Sequence, residues 1–508
     1  MSFLALFSQE LSLGWGHLGT LAVGALGCYL AHVLYLLYLH PLAAFPGPRL
    51  AALSTWWLYR VSRAGRADQV FEELHRKYNT RALRISPNEL HIQDSSLYHT
   101  IYSQDHAYAK DAYFYAAFGT PHSLFVETDR TLHRQRRKML NNFFSKSSIR
   151  NMQGLLYQRV DKLCLQIVRL SDKGPMNIYN AIRCMTVDLI TDIGFGNSFD
   201  LTDKARGSGF ETDFLQAFNL VATSIWEFMY LPVTRFLVGL LPLSVTIALG
   251  GPSAHMARLV MTVSDTVTKF RSLKATGKSE SREVVFDGLV GLNDGEMKAE
   301  ATDILVAGSD TTATTLSVAI FQLCKNPKVY DELKREIRQQ HLQAAEDFNL
   351  TALEKLPYLT AVVKEALRFA NAVPGRLPRV VPPAESGAAP LVVDGKAIPP
   401  GTTVGISAAA VHSDPSIWGS DARSFKPERW LQGDAKQLEK YLVTFSKGAR
   451  QCLGINLAYA ELTLALAVFT TRFDFTLDET MKLVDMDIYD GFTAAYRGTG
   501  PRARVWVL

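Results

Sequence analysis

Cys452 stands in a turn-rich loop with two glycines and an arginine, Phe445-Ser446-Lys447-Gly448-Ala449-Arg450-Gln451-Cys452-Leu453-Gly454, and an apolar helical pattern, Ile455 to Phe469, follows at once. A thiol at a helix N-terminus lies near unpaired N–H groups and the positive end of the helix dipole, which favours its thiolate. Arg450 adds a fixed positive charge two residues earlier. Gly448 and Gly454 let the backbone approach something flat and bulky. A lone cysteine is ordinarily a buried structural residue; the ten-residue pattern argues for chemistry instead.

A second constellation lies upstream. Asn293-Asp294 can cap a helix that runs to about Asn326, where Pro327 ends it. At 1.5 Å per residue it is about 50 Å long, enough to cross a domain. Its middle reads Ile304-Leu305-Val306-Ala307-Gly308-Ser309-Asp310-Thr311-Thr312, and a glycine, an acid and two hydroxyl residues suit a buried helix poorly. Either these residues form a solvent-facing stripe, or the helix opens locally to leave a pocket into which hydroxyl and carboxylate deliver protons. Glu365 and Arg368, three apart in the helical run Leu359 to Ala370, share a face; alone such a pair carries little weight.

The elements that must hold these groups belong to a large folded chain. It has 508 residues, 47% hydrophobic and 20% charged, with a formal net charge of +5. The positive charge is scattered, which argues against nucleic acid as a partner. Five cysteines at 28, 164, 184, 324 and 452 share no close spacing, which speaks against a disulfide framework or a zinc site and for a reducing compartment. Leu18 to Leu39 is uncharged and about as long as a bilayer core requires, with arginines only after it. It reads as an uncleaved transmembrane helix (18–39), with a luminal tail (1–17) and a cytosolic body. Gly14-Trp15-Gly16-His17-Leu18-Gly19 matches a dinucleotide pattern but has no strand before it and is set aside. A stiff Pro-rich hinge (40–50) leads into one mostly α body with small β-sheets (51–508), with strand-like runs at Ala82–Ile92, Leu391–Ile406 and Arg502–Leu508. Ser272 to Arg282 and Pro382 to Pro390 read as loops. The apolar run Tyr230 to Gly251, broken by two prolines and an arginine, reads as a surface dipping into lipid.

Phe445-x-x-Gly448-x-Arg450-x-Cys452-x-Gly454 resembles the haem-thiolate loop of the cytochrome P-450 monooxygenases. By that resemblance the fold is the cytochrome P-450 fold and the cofactor is haem b with Cys452 as axial ligand to iron. Ala307-Gly308-x-Asp310-Thr311-Thr312 resembles the family's oxygen-binding groove, with Thr311 as the hydroxyl beside the bound oxygen and Asp310 relaying protons from solvent. Glu365, Arg368 and Arg429 of Phe425-Lys426-Pro427-Glu428-Arg429-Trp430 resemble its structural triad. Arg379 and Arg137 would pair with haem propionates. His133 stands where the family commonly has tryptophan, and its imidazole N–H could replace the indole donor. Arg134, Arg136 and Lys138 would be free to meet an acidic redox partner. Phe114, Tyr115, Phe118, Phe125, Ala307, Val373 and Phe492 are the candidates for a substrate pocket. The hinge and Pro374-Gly375-Arg376-Leu377-Pro378-Arg379 look most like fungal microsomal members that oxidise terpenoid and polyketide skeletons in secondary metabolism. The resemblance thus implies an enzyme of the endoplasmic reticulum membrane, fed by an NADPH-dependent reductase and acting on an apolar small molecule with O2. A haem-thiolate isomerase, dehydratase or peroxygenase, and a non-enzymatic haem sensor, are the alternatives.

Overall fold

The computed structural model describes residues 20–105, 108–277 and 282–508, so the tail 1–17 and the Gly14–Gly19 match lie outside the described residues. Helix α1, Thr20–Leu39, is long and apolar enough to cross a bilayer and stands clear of the body with most side chains exposed. The hinge after it is docked. Leu42 and Phe45 are buried, the Arg84 N–H donates to the Pro46 carbonyl at 2.8 Å, and a Cβ on Gly47 would collide with the Arg84 carbonyl.

The principal sheet has five short strands, β1 Ala82–Ser86, β2 Glu89–Ile92, β3 Ala109–Lys110, β4 Arg379–Val380 and β5 Thr403–Gly405, in spatial order β1-β2-β5-β4-β3. β2 and β5 pair in parallel, His91 opposite Gly405; the other neighbours are antiparallel. Two-residue strands such as β3 and β4 are too short to show a period in sequence. A separate hairpin joins β6 Ile488–Gly491 to β7 Thr493–Tyr496.

Helices form most of the remainder. Those that position the site are α2 Ala67–Tyr78, α3 Arg130–Asn141, α4 Ile178–Phe195, α5 Asp294–Lys325, α6 Pro357–Ala370 and α7 Ile455–Arg472. Asn293 caps α5 by accepting the Glu296 N–H at 2.9 Å, and Glu296 accepts the Asn293 N–H in return. The helix then runs unbroken through Gly308, which corrects the expectation of a local opening. Nor is its polar stretch a solvent stripe, since Ser309, Asp310 and Thr312 are buried. A Cβ on Gly308 would lie 2.5 Å from Ile190 Cγ1 of α4, so glycine is there to let two core helices touch. The hydroxyls satisfy themselves on the preceding turn: Thr311 Oγ1 donates to the Ala307 carbonyl at 2.8 Å and Thr315 Oγ1 to the Thr311 carbonyl at 2.9 Å. The run Tyr230–Gly251 is broken into short helices, Pro232–Leu240 and Leu243–Leu249, with Val233, Phe236 and Leu240 exposed. Ser272–Arg282, expected as loop, is helical as far as Ala275.

Glu365 on α6 is the node that ties the helices to the loops before the cysteine. Its carboxylate bonds Arg368 at 2.7 and 3.0 Å, Arg429 Nε at 3.1 Å, the Lys426 N–H at 2.9 Å and the Trp430 indole at 2.9 Å. Arg368 passes on to the carbonyls of His412, Ala422 and Ser424. All three charged side chains are buried. Removing the shared carboxylate strands two guanidinium groups, so Glu365→Ala is expected to cost about 3–5 kcal/mol, read as a lower urea midpoint. An unchanged midpoint would contradict this.

Candidate active site

Backbone bonds shape the cysteine loop. The Cys452 N–H donates to the Phe445 carbonyl at 2.9 Å, and the Ala449 N–H to the Ser103 carbonyl at 3.3 Å. Gly448 has φ +72°, and a Cβ on it would collide with the Ser103 carbonyl. That glycine serves contact with residues 102–103, not with a flat group as its spacing suggests. At Gly454 a Cβ would meet nothing closer than Cys452 Sγ at 3.9 Å, so the side of the loop next to the sulfur is open. Phe445 rests on Tyr459 of α7, ring centroids 5.5 Å apart.

Cys452 is an exposed residue whose thiol is nonetheless hemmed in by protein. Burial pushes the thiol up, while the Gly454 N–H and Arg137 pull it down. Desolvation thus works against the helix end, and a cation at the sulfur would favour the anion. Arg137 Nη1 donates to the Gln451 carbonyl at 2.7 Å, and His133 is buried one turn earlier on the same helix.

Arg450 does not point its charge at the sulfur. Its guanidinium donates to the carbonyls of Glu127 at 2.6 Å and Thr128 at 3.1 Å, fastening the start of α3 to the cysteine loop. Burial and then Arg379 bring it down to about 10. Arg379 is buried and donates to the Tyr115 hydroxyl at 2.9 Å. Lys110 faces Arg379 across β3 and β4 and completes a cluster of three cations. Burial, Arg379 and Arg450 push its ammonium well below the ordinary lysine range, with Asp303 and Glu127 opposing. Its Nζ sits over the Tyr115 and Phe125 rings and donates to the Phe125 carbonyl. Nothing in the spacing of the sequence singled out Lys110; strand register brings it in. Arg136, expected to be free for a partner protein, is buried against Glu296 at 2.8 Å and Glu300 at 3.3 Å on α5.

Along α5, Ala307 is exposed and Thr311 half-buried in the middle of a core helix, so this face borders an interior space. Thr312 turns the other way, toward the buried Glu461 of α7, which is pushed up to about 8 by burial. Asp310 is sealed off from solvent: its carboxylate accepts from Arg183 Nε of α4 at 2.7 Å, and Arg183 Nη1 donates to Asn219 at 2.7 Å. Burial raises the Asp310 carboxyl and Arg183 holds it down. Asp310 as an open relay to water is thereby corrected to a carboxylate locked in an ion pair. Arg183 had no motif to mark it, only a charge inside the buried helix Ile178–Phe195. Phe114, Tyr115, Phe118, Phe125 and Phe492 form one cluster with ring centroids 4.7–6.4 Å apart. Phe114 and Tyr115 are fully buried and back the wall; Phe118, Phe125, Phe492 and Val373 are half-buried.

This donor set fits a haem. One thiol is available to a metal, and three mutually repelling cations converge where two carboxylates would relieve them. The chain matches the family described as cytochrome P-450 over residues 46–495. It is 34% identical over 505 residues to the cytochrome P-450 monooxygenase sdnE of Sordaria araneosa, covering 94% of this chain and 95% of that one. The cytochrome P-450 monooxygenase aneF of Aspergillus aculeatus is 32% identical over 454 residues, 87% of this chain and 90% of its own. In fold it is similar to the heme domain of cytochrome P-450DA, with TM-score 0.70 at 17% identity, covering 87% of this chain and 94% of that chain. The chain belongs to the cytochrome P-450 family. It is a monooxygenase with cysteine-ligated haem that takes its electrons from a reductase partner.

The Arg183–Asp310 pair has a direct test. Arg183→Met leaves a buried carboxylate without its counter-charge and is expected to destabilise the fold by about 3–5 kcal/mol, while Arg183→Met combined with Asp310→Asn recovers most of that loss. Additive effects in the double-mutant cycle would contradict the pairing.

Proposed function

We propose that the chain hydroxylates or otherwise oxidises an apolar small molecule of terpenoid or polyketide type, with electrons delivered from NADPH by a membrane-bound reductase. The observation that carries the substrate class is the wall of aromatic rings from Phe114 to Phe492, which offers apolar surface and few polar partners. The apolar helix α1 and the exposed Val233, Phe236 and Leu240 suit a single-pass enzyme of the endoplasmic reticulum that draws such a molecule from lipid.

Cys452 would hold the haem iron, with Phe445 and Gly454 shaping the sulfur side. Arg379, Arg450, Lys110 and Arg137 would hold its carboxylates, with His133 beside Arg137. The chemistry that a thiolate-held haem supplies when bound is two-electron activation of dioxygen and insertion of one oxygen atom into a C–H bond. The chain's own work is to position and to protonate. Thr311 keeps its hydroxyl parked on the Ala307 carbonyl, and a turn about one side-chain torsion frees it toward the interior face. Asp310, held by Arg183, anchors the turn of α5 that carries this hydroxyl. The aromatic wall and the sealed ion pair keep bulk water away.

Thr311→Ala separates these roles. Reconstituted with a reductase and a panel of terpene and polyketide scaffolds, it is expected to keep haem and NADPH oxidation while product per NADPH falls about tenfold or more and peroxide rises. Unchanged product per NADPH would overturn the role of Thr311. No scaffold oxidised by the wild type would overturn the substrate class.

A further inference from the structure

The join between α1 and the body is built around a carbonyl that its own helix cannot pair. The last turn of α1, Tyr35–Leu39, is a wider π-turn, and the His40 N–H that closes it donates to the Tyr35 carbonyl at 2.8 Å. An α-turn would have given that N–H to the Leu36 carbonyl, and one more π-turn would need an N–H from residue 41. Residue 41 is proline and has none. Leu36 is buried, and a buried carbonyl without a donor is costly.

Arg84 of β1 supplies the donor. Its Nη1 donates to the Leu36 carbonyl at 2.9 Å and its Nη2 to the Pro87 carbonyl at 2.9 Å. Arg84 is 3% exposed, and no carboxylate pairs with it among the described residues. A buried cation without an acid needs another negative partner. The C-terminal end of a helix is such a partner, because its carbonyls carry the negative pole of the helix dipole. One contact therefore answers two deficits, a helix end short of a donor and a cation short of a counter-charge.

The rest of the hinge closes around that contact. The Arg84 N–H donates to the Pro46 carbonyl at 2.8 Å, the Phe45 N–H to the Leu42 carbonyl at 3.1 Å and the Ala43 N–H to the His40 carbonyl at 2.8 Å. The Leu42 N–H donates to His40 Nδ1 at 3.1 Å, and Lys396 Nζ donates to the Ala44 carbonyl at 2.7 Å. Glycine at 47 is what lets the chain pass the Arg84 carbonyl, with which a Cβ would collide. The helix Arg49–Leu53 packs against the last turn of α1 and carries the exposed Leu50. A flexible linker as long as His40–Pro48 would let its ends wander by about 16 Å r.m.s.. These bonds remove that freedom.

We propose that Arg84 joins α1 rigidly to the body, so that the enzyme meets the bilayer as one unit with a single tilt and height rather than as a body swinging on a tether. The partner is the lipid bilayer, and this part rests on the reading of α1 as a membrane span; the rigid join does not. With the join in place, Leu50 and the exposed Val233, Phe236 and Leu240 keep one position relative to the lipid.

Pulsed electron-spin resonance on the haem-loaded full chain in lipid nanodiscs tests this. One nitroxide goes on Cys28, exposed on α1, and one on Glu73→Cys, exposed on α2, with Cys324→Ser removing the half-buried thiol. The wild-type background is expected to give one narrow distance distribution. Arg84→Met, which keeps the stem and loses the donors, is expected to broaden it at least about threefold, and Gly47→Ala, which pushes the hinge off Arg84, to do the same. Gly24→Ala, where a Cβ meets open space, is expected to leave it narrow. A broad wild type, or a folded Arg84→Met as narrow as the wild type, overturns the join. Where Arg84→Met does not fold, a narrow Gly47→Ala does so. The Cys28 nitroxide is also expected to be relaxed more by oxygen than by a water-soluble nickel chelate. The reverse overturns the membrane span and leaves the rigid join standing.

Discussion

An anionic sulfur inside a protein is stable only where something positive meets it, and the geometry around Cys452 is organised by that constraint. Burial alone drives the thiol toward its neutral form. The Gly454 N–H and the Arg137 charge oppose it, and a metal bound at the sulfur would add the further charge that favours the anion. The surrounding bonds serve to keep the sulfur where such a metal can be reached. The Phe445 carbonyl fixes the Cys452 backbone, the Ser103 carbonyl fixes the turn before it, and Arg450 and Arg137 tie the loop to α3 and the segment ahead of it.

The same constraint governs the other buried charges, each answered differently. Glu365 answers two arginines with one carboxylate and extra hydrogen bonds, a closed network whose role is rigidity. Asp310 is answered by Arg183. Arg379, Arg450 and Lys110 answer nothing fully among the described residues, and this imbalance points to a dianionic ligand.

Much of this was legible in the sequence where the signal is local. The reciprocal cap at Asn293, the Pro327 stop, the helix after Gly454 and the strand runs near 82–92 and 502–508 all depend on neighbours in the chain, and the structure has them. The Glu365 triad was also legible, though only through the resemblance of its helical pair and of Phe425–Trp430 to the family's motifs. What local pattern could not supply was the partner across space. Gly308 read as a place for the helix to open, and it is a contact with Ile190. Gly448 read as a seat for a flat ligand, and it is a seat for Ser103. Arg183 and Lys110 enter through helix packing and strand register, which leave no mark at fixed spacing. Arg136 looked like one charge among several on a basic helix, and only the position of α5 decides that it is buried.

The central claim is that one sulfur, Cys452, becomes the anionic ligand of a metal held in the interior. The absorption spectrum of the reduced, carbon monoxide-bound chain measures this most directly. The account predicts a thiolate-type Soret band in the wild type that is lost in Cys452→Ala while the far-ultraviolet circular dichroism of the fold persists. A histidine-type band in well-folded wild type, or a thiolate-type band that survives Cys452→Ala, would contradict it.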